Sequence, residues 1–147
     1  MTKIYLDTCC LNRPFDDQTQ TRIRLETEAV LAIFSQIETD EWNWVGSDVL
    51  KDEVEQIPDT QKLSRVNLLL DFIDENIEIG ESEIERARNL QKKGFQLFDA
   101  LHIASAESAK ADVFLSTDDR LLKLAKRPSN DLKIRVENPL VWVTENI

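Results

Sequence analysis

The chain has 147 residues, of which 41% are hydrophobic and 31% are charged, and its net charge at pH 7 is −10. Length and composition are those of one soluble globular domain that can bury a core, and the scarcity of Gly (3) and Pro (4) argues against a linker. The negative charge argues against a surface that coats nucleic acid, but it leaves open an enzyme that acts on nucleic acid through bound metal ions.

Three segments have the pattern of a short buried strand followed by a helix. The predicted strands are Lys3–Asp7, Trp42–Ser47 and Asp112–Thr117. The helix after the first strand, within Arg22–Glu38, carries apolar residues at helical spacing. The second helix is predicted to begin near Asp48, and Pro128 is predicted to end the third.

The other predicted elements alternate in the same way. They are a helix around Lys62–Asp74, a strand at Asn76–Gly80, helices at Ser82–Lys93 and Phe98–Ala111, and a last strand in Leu132–Pro139. Ser82 and Glu85 have the spacing of a capping box at the start of their helix. Alternating strands and helices predict the α/β class, with a mostly parallel sheet covered on both faces.

Two acidic residues directly follow predicted strands. Asp7 follows the apolar run IYL, and Asp118 follows VFLST. In open parallel sheets, ligands bind outside the carboxyl ends of the strands, where the strand order reverses. If the first and fourth strands are neighbours at that point, the two carboxylates face one cleft. Acids also end strands and begin helices for purely structural reasons, so each residue alone is weak evidence.

Two further acids lie within apolar helical patterns. Glu53 falls in the stripe of Val49 and Ile57, although it could instead be a boundary residue that reaches water. Asp99 belongs to a narrow polar stripe of Gln96, Asp99, His102 and Ser105, although it could simply cap or favour the start of its helix. His102 itself is interpreted as a packed or supporting residue rather than a catalytic one.

Together, the four acids predict a shared site for a divalent metal ion. Burying a carboxylate is costly without compensation, and neighbouring carboxylates raise one another's pKa unless cations bind between them. Carboxylate oxygens suit Mg²⁺ or Mn²⁺. The sequence therefore predicts a metal-dependent phosphodiesterase, and in particular a ribonuclease. RNA binding would also need a local basic strip, with candidates Arg13, Arg22, Arg24, Lys92, Lys93, Arg120, Lys123, Lys126 and Arg127.

Four motifs carry a resemblance to a known family. They are YLDT at Tyr5–Thr8, the helix with Glu53 after GSDVL, DALHIASA at Asp99–Ala106 and FLSTDDRLL at Phe114–Leu122. With these motifs the chain resembles the PIN-domain family, specifically the VapC-type ribonuclease toxins of prokaryotic toxin–antitoxin systems. The resemblance covers essentially residues 1–147, as one domain. It implies a three-layer α/β/α sandwich with a parallel sheet of four to five strands, and cleavage of single-stranded or loop RNA.

The resemblance also assigns roles by position. Asp7, Glu53, Asp99 and Asp118 match the family's catalytic acids. Asp7, Asp99 and Asp118 are expected to hold one or two Mg²⁺ or Mn²⁺ ions, while Glu53 orients or deprotonates the attacking water or completes a second metal position. When the chain is aligned with the family on the sequence RLL that follows, Asp118 rather than Asp119 matches the fourth acid. Residues expected to support the site are Thr8, Thr117, Asp119 and Asn138.

Family likeness further implies an antitoxin protein as a partner and a homodimer. The first two long helices carry more apolar surface than one sheet face is expected to cover, at Leu25, Phe34, Leu68, Leu69 and Phe72. The start of the chain lacks the long apolar stretch of a signal peptide, and no later segment is long enough to span a membrane. A cytoplasmic protein without membrane partners is therefore expected.

Some features leave other interpretations open. Cys9 and Cys10 are adjacent, which disfavours a disulfide, and with one histidine a zinc site is not expected; both cysteines are predicted to be buried.

A phosphatase or phospho-receiver domain would need a positioned Lys near a late strand end, where this chain has Ser116 and Thr117. The main alternative is a catalytically silent PIN-fold domain that binds RNA or protein. The segment Asn12–Arg24 departs from the family pattern, as a longer and more polar entry to the first helix than most members show.

Overall fold

One parallel sheet of five strands forms the centre of the molecule, in a computed structural model that describes all 147 residues. The strands are β1 (Thr2–Leu6), β2 (Trp42–Ser47), β3 (Glu75–Ile77), β4 (Val113–Leu115) and β5 (Arg135–Glu137). Their order is β3-β2-β1-β4-β5, and every neighbouring pair is parallel. The first and fourth strands are neighbours, which is the condition for a shared cleft at Asp7 and Asp118, and Tyr5 lies opposite Phe114. The strand order therefore reverses between β1 and β4.

Eight α-helices connect or follow these strands. They are α1 (Thr8–Asn12), α2 (Thr21–Glu38), α3 (Asp48–Glu55), α4 (Thr60–Leu70), α5 (Glu81–Lys92), α6 (Leu97–Ser108), α7 (Asp119–Ala125) and α8 (Pro139–Asn146). Short 3₁₀ turns lie at Arg13–Phe15 and Pro128–Asn130. No helix is both long enough and apolar enough to cross a membrane.

The sheet separates two hydrophobic cores, because successive strand residues point to opposite faces. Ile4 and Leu6 of β1 pack in the core that α2 closes with Val30 and Ile33. Tyr5, between them in sequence, packs on the other face among residues of α5, α6 and α7. Helices thus cover both faces, and the predicted three-layer α/β/α sandwich is confirmed.

Two predictions about local structure were wrong. The capping box assigned to Ser82 and Glu85 lies elsewhere: α5 begins one residue earlier, and the Glu83 carboxylate accepts the Gly80 N–H (2.8 Å) while Ser82 donates to Glu83 (2.7 Å). Helix α8 was not predicted, because Pro139 was interpreted only as the end of a strand. Proline also suits the first position of a helix, and here Asn138 caps that helix by accepting the Leu140 N–H (2.8 Å).

The cysteines and tryptophans contribute to the core, with Cys9 as the exception. Cys10 is fully buried, whereas Cys9 is only half-buried, so the prediction that both are buried holds for Cys10 alone. Cys9 lies at the carboxyl edge of the sheet, where the layers leave a cleft, with its sulfur 3.4 Å from Ser116 Oγ. All three tryptophans are buried, but Phe72, two residues after the end of α4, is 44% exposed.

Candidate active site

Asp7 is held in a fixed orientation where β1 ends. It is 7% exposed, and it caps α1 by accepting the Thr8 N–H at Oδ1 (2.8 Å). The Ser116 hydroxyl, which directly follows β4, donates to Oδ2 (2.9 Å). These donors come from both sides of the point where the strand order reverses. The carboxylate is therefore aimed into the cleft that parallel sheets use for ligands.

Glu53 turns toward the same cleft from α3. Its helix is anchored by Ser47, whose hydroxyl accepts the Leu50 N–H (3.1 Å). The Thr8 hydroxyl donates to Glu53 Oε1 (2.7 Å), and His102 Nε2 contacts the same oxygen. Burial acts to raise the pKa of Glu53, but the hydrogen bond and positive charge of His102 outweigh it, so the pKa lies below its ordinary value. The side chain is half-buried and engaged rather than directed at bulk water.

A buried hydrogen-bond chain leads from Glu53 into the sheet. The Tyr5 hydroxyl lies 2.5 Å from His102 Nδ1 and 2.6 Å from Ser47 Oγ. Ser47 already accepts the Leu50 N–H. When the imidazole is neutral, the arrangement that satisfies every donor therefore runs from Ser47 to Tyr5, then to His102 Nδ1, while His102 Nε2–H donates to Glu53. Burial lowers the pKa of His102, but the carboxylates of Glu53 and Asp7 raise it by more, so the pKa lies above its ordinary value.

Asp99 and Asp118 lie at the starts of two helices, α6 and α7, beside Asp7 and Glu53. Asp99 lies in the first turn of α6, half-buried, and no hydrogen-bond donor contacts its carboxylate. Burial, together with the negative charges of Asp7, Asp118 and Glu53, raises the pKa of Asp99 to about 6. Asp118 is exposed and caps α7 by accepting the N–H groups of Arg120 (3.0 Å) and Leu121 (3.4 Å).

The four acids are not equally close together. Side-chain ligand atoms of Asp7, Glu53 and His102 all lie within 4.8 Å of one another. Asp99 and Asp118 lie outside this tight group. They interact with it electrostatically, because the charges of Asp7, Glu53 and Asp118 all raise the pKa of Asp99. The cluster is thus one electrostatic unit with a compact part at Asp7 and Glu53.

The residues expected to support the site fall into two places. Thr8 contacts Glu53, and the buried Thr117 follows Ser116 at the end of β4. Asp119 instead pairs with Arg22 through two bonds (2.6 and 2.7 Å), and Asn138 donates to Glu26 (2.6 Å). Asp119 and Asn138 therefore belong to a second polar network, formed by Arg13, Arg22, Glu26, Asp119 and Asn138.

The donor atoms in the cleft suit a hard divalent cation. Glu53 Oε2, Asp118 Oδ2 and both oxygens of Asp99 have no hydrogen-bond donor. His102 is not free to bind a metal, because both ring nitrogens are engaged by Tyr5 and Glu53. The open ligands are thus carboxylate oxygens, which Mg²⁺ and Mn²⁺ prefer. A half-buried carboxylate without a donor, facing three others, is the arrangement that a bound cation would stabilise.

Sequence reasoning missed several contacts that fix this geometry. The roles of Ser116, Tyr5 and Ser47 were not predicted, although Ser116 stands in FLST at a strand end. Cys9 was also missed: its Sγ lies 3.5 Å from Asp7 Oδ2 and 3.3 Å from the Thr117 amide nitrogen. A hydroxyl directly after a buried strand was the one local signal available, and it pointed to Ser116.

Comparison with known proteins identifies the fold. The family model described as PIN domain matches residues 4–127. Among solved structures, FitAcB from Neisseria gonorrhoeae is similar with a TM-score of 0.62 and 15% identity, over 92% of this chain and 97% of that chain. VapBC2 from Rickettsia felis, bound to a DNA fragment from their promoter, is similar with a TM-score of 0.61 and 15% identity, over 93% of this chain and 98% of that chain. VapBC-1 from nontypeable Haemophilus influenzae is similar with a TM-score of 0.57 and 13% identity, over 94% of this chain and 98% of that chain. No curated protein matches the chain significantly by sequence.

Proposed function

The chain belongs to the PIN-domain family, and from this premise we propose that it is a divalent-metal-dependent endoribonuclease and the toxin of a type II toxin–antitoxin pair. The single observation that carries the catalytic proposal is Asp99. Its carboxylate is half-buried without any hydrogen-bond donor, and the charges of Asp7, Asp118 and Glu53 raise its pKa further after burial has done so. A structural role gives no reason for such an arrangement, whereas a cation between the acids would compensate all of them.

Each residue has a role in hydrolysis of an RNA phosphodiester. Asp7, Asp99 and Asp118 would hold Mg²⁺ or Mn²⁺ directly or through water. When bound, the metal would activate a water molecule and stabilise charge on the leaving oxygen. Glu53 Oε2 is free to orient the attacking water, because Thr8 and His102 occupy only Oε1. Ser116 and the Thr8 amide keep Asp7 aimed at the cleft.

An antitoxin protein is proposed as the natural partner. Two of the similar solved structures are named VapBC, and their fold extends over nearly the whole of this chain. A groove of about 610 Å³ between α2, α7 and α8 is lined by apolar residues such as Leu25, Leu140 and Val141 and by charged residues such as Arg22 and Asp119. Asp119, which lines the groove, directly follows Asp118 in sequence. An amphipathic segment bound in the groove would therefore also block the acidic cleft.

A homodimer is proposed through the outer surface of α2 and α4. Leu31, Leu68 and Phe72 are exposed there, with Leu68 at 65%. The adjoining cavity of about 330 Å³ is lined by Arg65 and by the apolar residues Pro14, Phe15, Leu31, Phe34, Leu68 and Leu69. Exposed apolar patches of this kind favour a self-complementary, two-fold contact.

An RNA-cleavage assay tests the proposed activity. The wild-type chain is incubated with fluorescent single-stranded and hairpin RNA in Mg²⁺, in Mn²⁺ and in EDTA. Glu53→Gln is compared with Glu55→Gln, an exposed position on the same helix whose side chain forms no hydrogen bond or ion pair. We expect cleavage only with metal, loss of activity in the Glu53 variant and wild-type activity in the Glu55 variant. Equal activity of the two variants would reject the assigned site.

The same assay addresses the catalytically silent alternative. A folded wild-type chain that binds RNA but cleaves none in either metal would favour that alternative over the nuclease.

A further inference from the structure

A small cavity of about 300 Å³ beside the acidic cleft is lined mainly by basic residues. Its lining consists of Gly94, Arg120, Lys123, Leu124 and Arg127. Arg120 and Lys123 lie one turn apart on α7, and Arg127 follows that helix by two residues. All three cationic side chains belong to exposed residues. We call this cavity the basic pocket.

The cations of the basic pocket are not neutralised by the protein. None of the three forms an ion pair, although acids outnumber bases by ten in this chain. Lys126, which lies between them in sequence, points to another cavity and pairs with Glu137 (3.0 Å). Asp119, one turn before Lys123, is paired with Arg22 (2.6 Å). Three uncompensated positive charges at one cavity therefore stand out against an acidic surface.

The basic pocket shares a wall with the acidic cleft. The Arg120 N–H donates to Asp118 Oδ1 (3.0 Å), so Arg120 is fixed at the helix start that Asp118 caps. Its guanidinium donates to the side-chain oxygen of Gln96 (2.8 Å), with the amide oriented to accept. Gln96 is the residue that caps α6, three positions before Asp99. Arg120 thus lies between the basic pocket and two of the four acids.

The far side of the basic pocket is formed by a tight turn between α5 and α6. Gly94 in this turn has a φ of +106°, a conformation that residues with side chains rarely adopt. A Cβ at this position would lie 3.6 Å from the Leu124 side chain, at the pocket wall. The pocket is therefore bounded by the turn on one side and by the three cations on the other.

We propose that the basic pocket binds a backbone phosphate of single-stranded RNA whose scissile phosphodiester lies at the acids. This inference rests on the proposed ribonuclease function. Arginine guanidinium groups bind phosphate oxygens in a bidentate manner, and a lysine adds a point charge. Phosphate contacts fix the register of a nucleic acid without reading its sequence. Arg120, Lys123 and Arg127 would thus hold the RNA beside a site whose own acids repel it.

Equilibrium binding of a fluorescent single-stranded RNA oligonucleotide tests the proposal. The measurements use the Asp99→Asn chain in EDTA, so that no cleavage occurs, over a range of KCl concentrations. Arg120, Lys123 and Arg127 are changed together to Gln. The matched control changes Arg88, Lys110 and Lys133 to Gln, which are exposed, unpaired and remote from the acids. Both triple variants alter the net charge equally.

We expect the pocket variant to bind RNA about tenfold more weakly at low salt. The magnitude of the slope of the log association constant against log [KCl] should fall by about 0.7, the value for one phosphate of a single strand. The control variant should stay close to the Asp99→Asn parent in both quantities. Equal weakening in the two triples, or no weakening in either, would overturn the basic pocket as the RNA site. The same two triples are also made in the wild-type background and assayed for cleavage with Mn²⁺.

Cleavage separates failure of this inference from failure of the proposed function. A wild-type chain that cleaves RNA, together with a pocket variant of unchanged KM, would reject the basic pocket and leave the ribonuclease intact. A raised KM with an unchanged kcat in the pocket variant would support it. A wild-type chain that neither binds nor cleaves RNA would reject both.

Discussion

His102 connects the Glu53 carboxylate to the interior of the sheet. Its imidazole is fully buried, with Nε2 at Glu53 and Nδ1 at the Tyr5 hydroxyl (2.5 Å). Because the Tyr5 ring is itself packed against Phe114 of β4, the hydrogen-bond chain is fixed by the core and not by mobile surface groups. The position of Glu53 in the cleft thus depends on a residue that touches no substrate.

Replacing His102 should lower activity through Glu53. His102→Leu removes the donor at Nε2, whereas His102→Gln retains an amide donor of similar reach. We expect kcat to fall about 10- to 100-fold in the Leu variant, the usual effect of losing a group that orients a ligand, and to recover in part in the Gln variant. Steady-state kinetics below the unfolding transition would measure this. Wild-type kcat in the Leu variant would contradict the positioning role.

Asp99 should make the metal-free chain less stable as the pH rises. Its pKa is raised from 3.8 to about 6 in the folded state, so the folded chain binds this proton more tightly than the unfolded chain. The stability from that proton is present below pH 3.8 and is lost as the pH rises through about 6. Asp99→Asn has no such loss.

Thermal unfolding in EDTA measures the effect of Asp99. The melting temperature of Asp99→Asn relative to wild type should increase between about pH 4 and about pH 7. Asp52→Asn, at an exposed site on α3, should follow the wild type throughout. A constant difference between Asp99→Asn and wild type across this range would contradict the pKa assigned to Asp99.

Glu26 should matter for stability rather than for chemistry. It is 1% exposed, and Arg13 (2.9 Å), Arg22 (3.2 Å) and Asn138 (2.6 Å) all donate to it. Glu26→Gln should lower the free energy of unfolding by about 1–3 kcal/mol, because charged donors lose their acceptor charge. Glu28→Gln, exposed on the same helix, should change it by less than about 0.5 kcal/mol. Chemical denaturation would compare the two, and equal values would reject the network as a stabilising one.

Light scattering during size-exclusion chromatography tests the proposed dimer. The wild-type chain should elute with twice its 17.0 kDa mass at micromolar concentration. Leu68→Glu places a charge on the exposed surface of α4 and should give a monomer, while Leu97→Glu, at a similarly exposed leucine of α6, should not. A monomeric wild type, or a dimer that survives the Leu68 change, would contradict the proposed interface.

Local sequence patterns predicted most of the fold because the buried strands are short apolar runs. Trp42–Ser47 was predicted with the same bounds that the structure has, and the parallel sheet was predicted from the alternation of strands and helices. The adjacency of β1 and β4 was only a condition of the sequence argument, because strand order depends on tertiary packing. The missed helix α8 begins at Pro139, a residue that suits both the end of a strand and the start of a helix. The shift of the capping box from Ser82 to Gly80 reflects a choice between two overlapping local patterns.

The candidate site was predictable in its acids but not in their partners. Ser116 and Asp7 are 109 positions apart, and no local pattern links them. Asp119 was a candidate because it adjoins Asp118, yet one step along the start of α7 turns its side chain to Arg22. Asn138 follows a strand as Asp7 does, but it is occupied by Glu26 and the start of α8. Such pairings depend on tertiary packing, which sequence spacing alone does not specify.

The most direct test of the central claim is RNA cleavage by Asp99→Asn beside Asp52→Asn in the presence of Mn²⁺, with calorimetric titration of Mn²⁺ into each variant. Both changes remove one carboxylate charge, but only Asp99 faces the other acids. We expect Asp52→Asn to cleave RNA and bind Mn²⁺ as the wild type does, whereas Asp99→Asn should remain folded, bind Mn²⁺ more weakly and cleave no RNA. Wild-type cleavage and Mn²⁺ affinity in Asp99→Asn would contradict the assignment of the acidic cleft as a metal-dependent ribonuclease site.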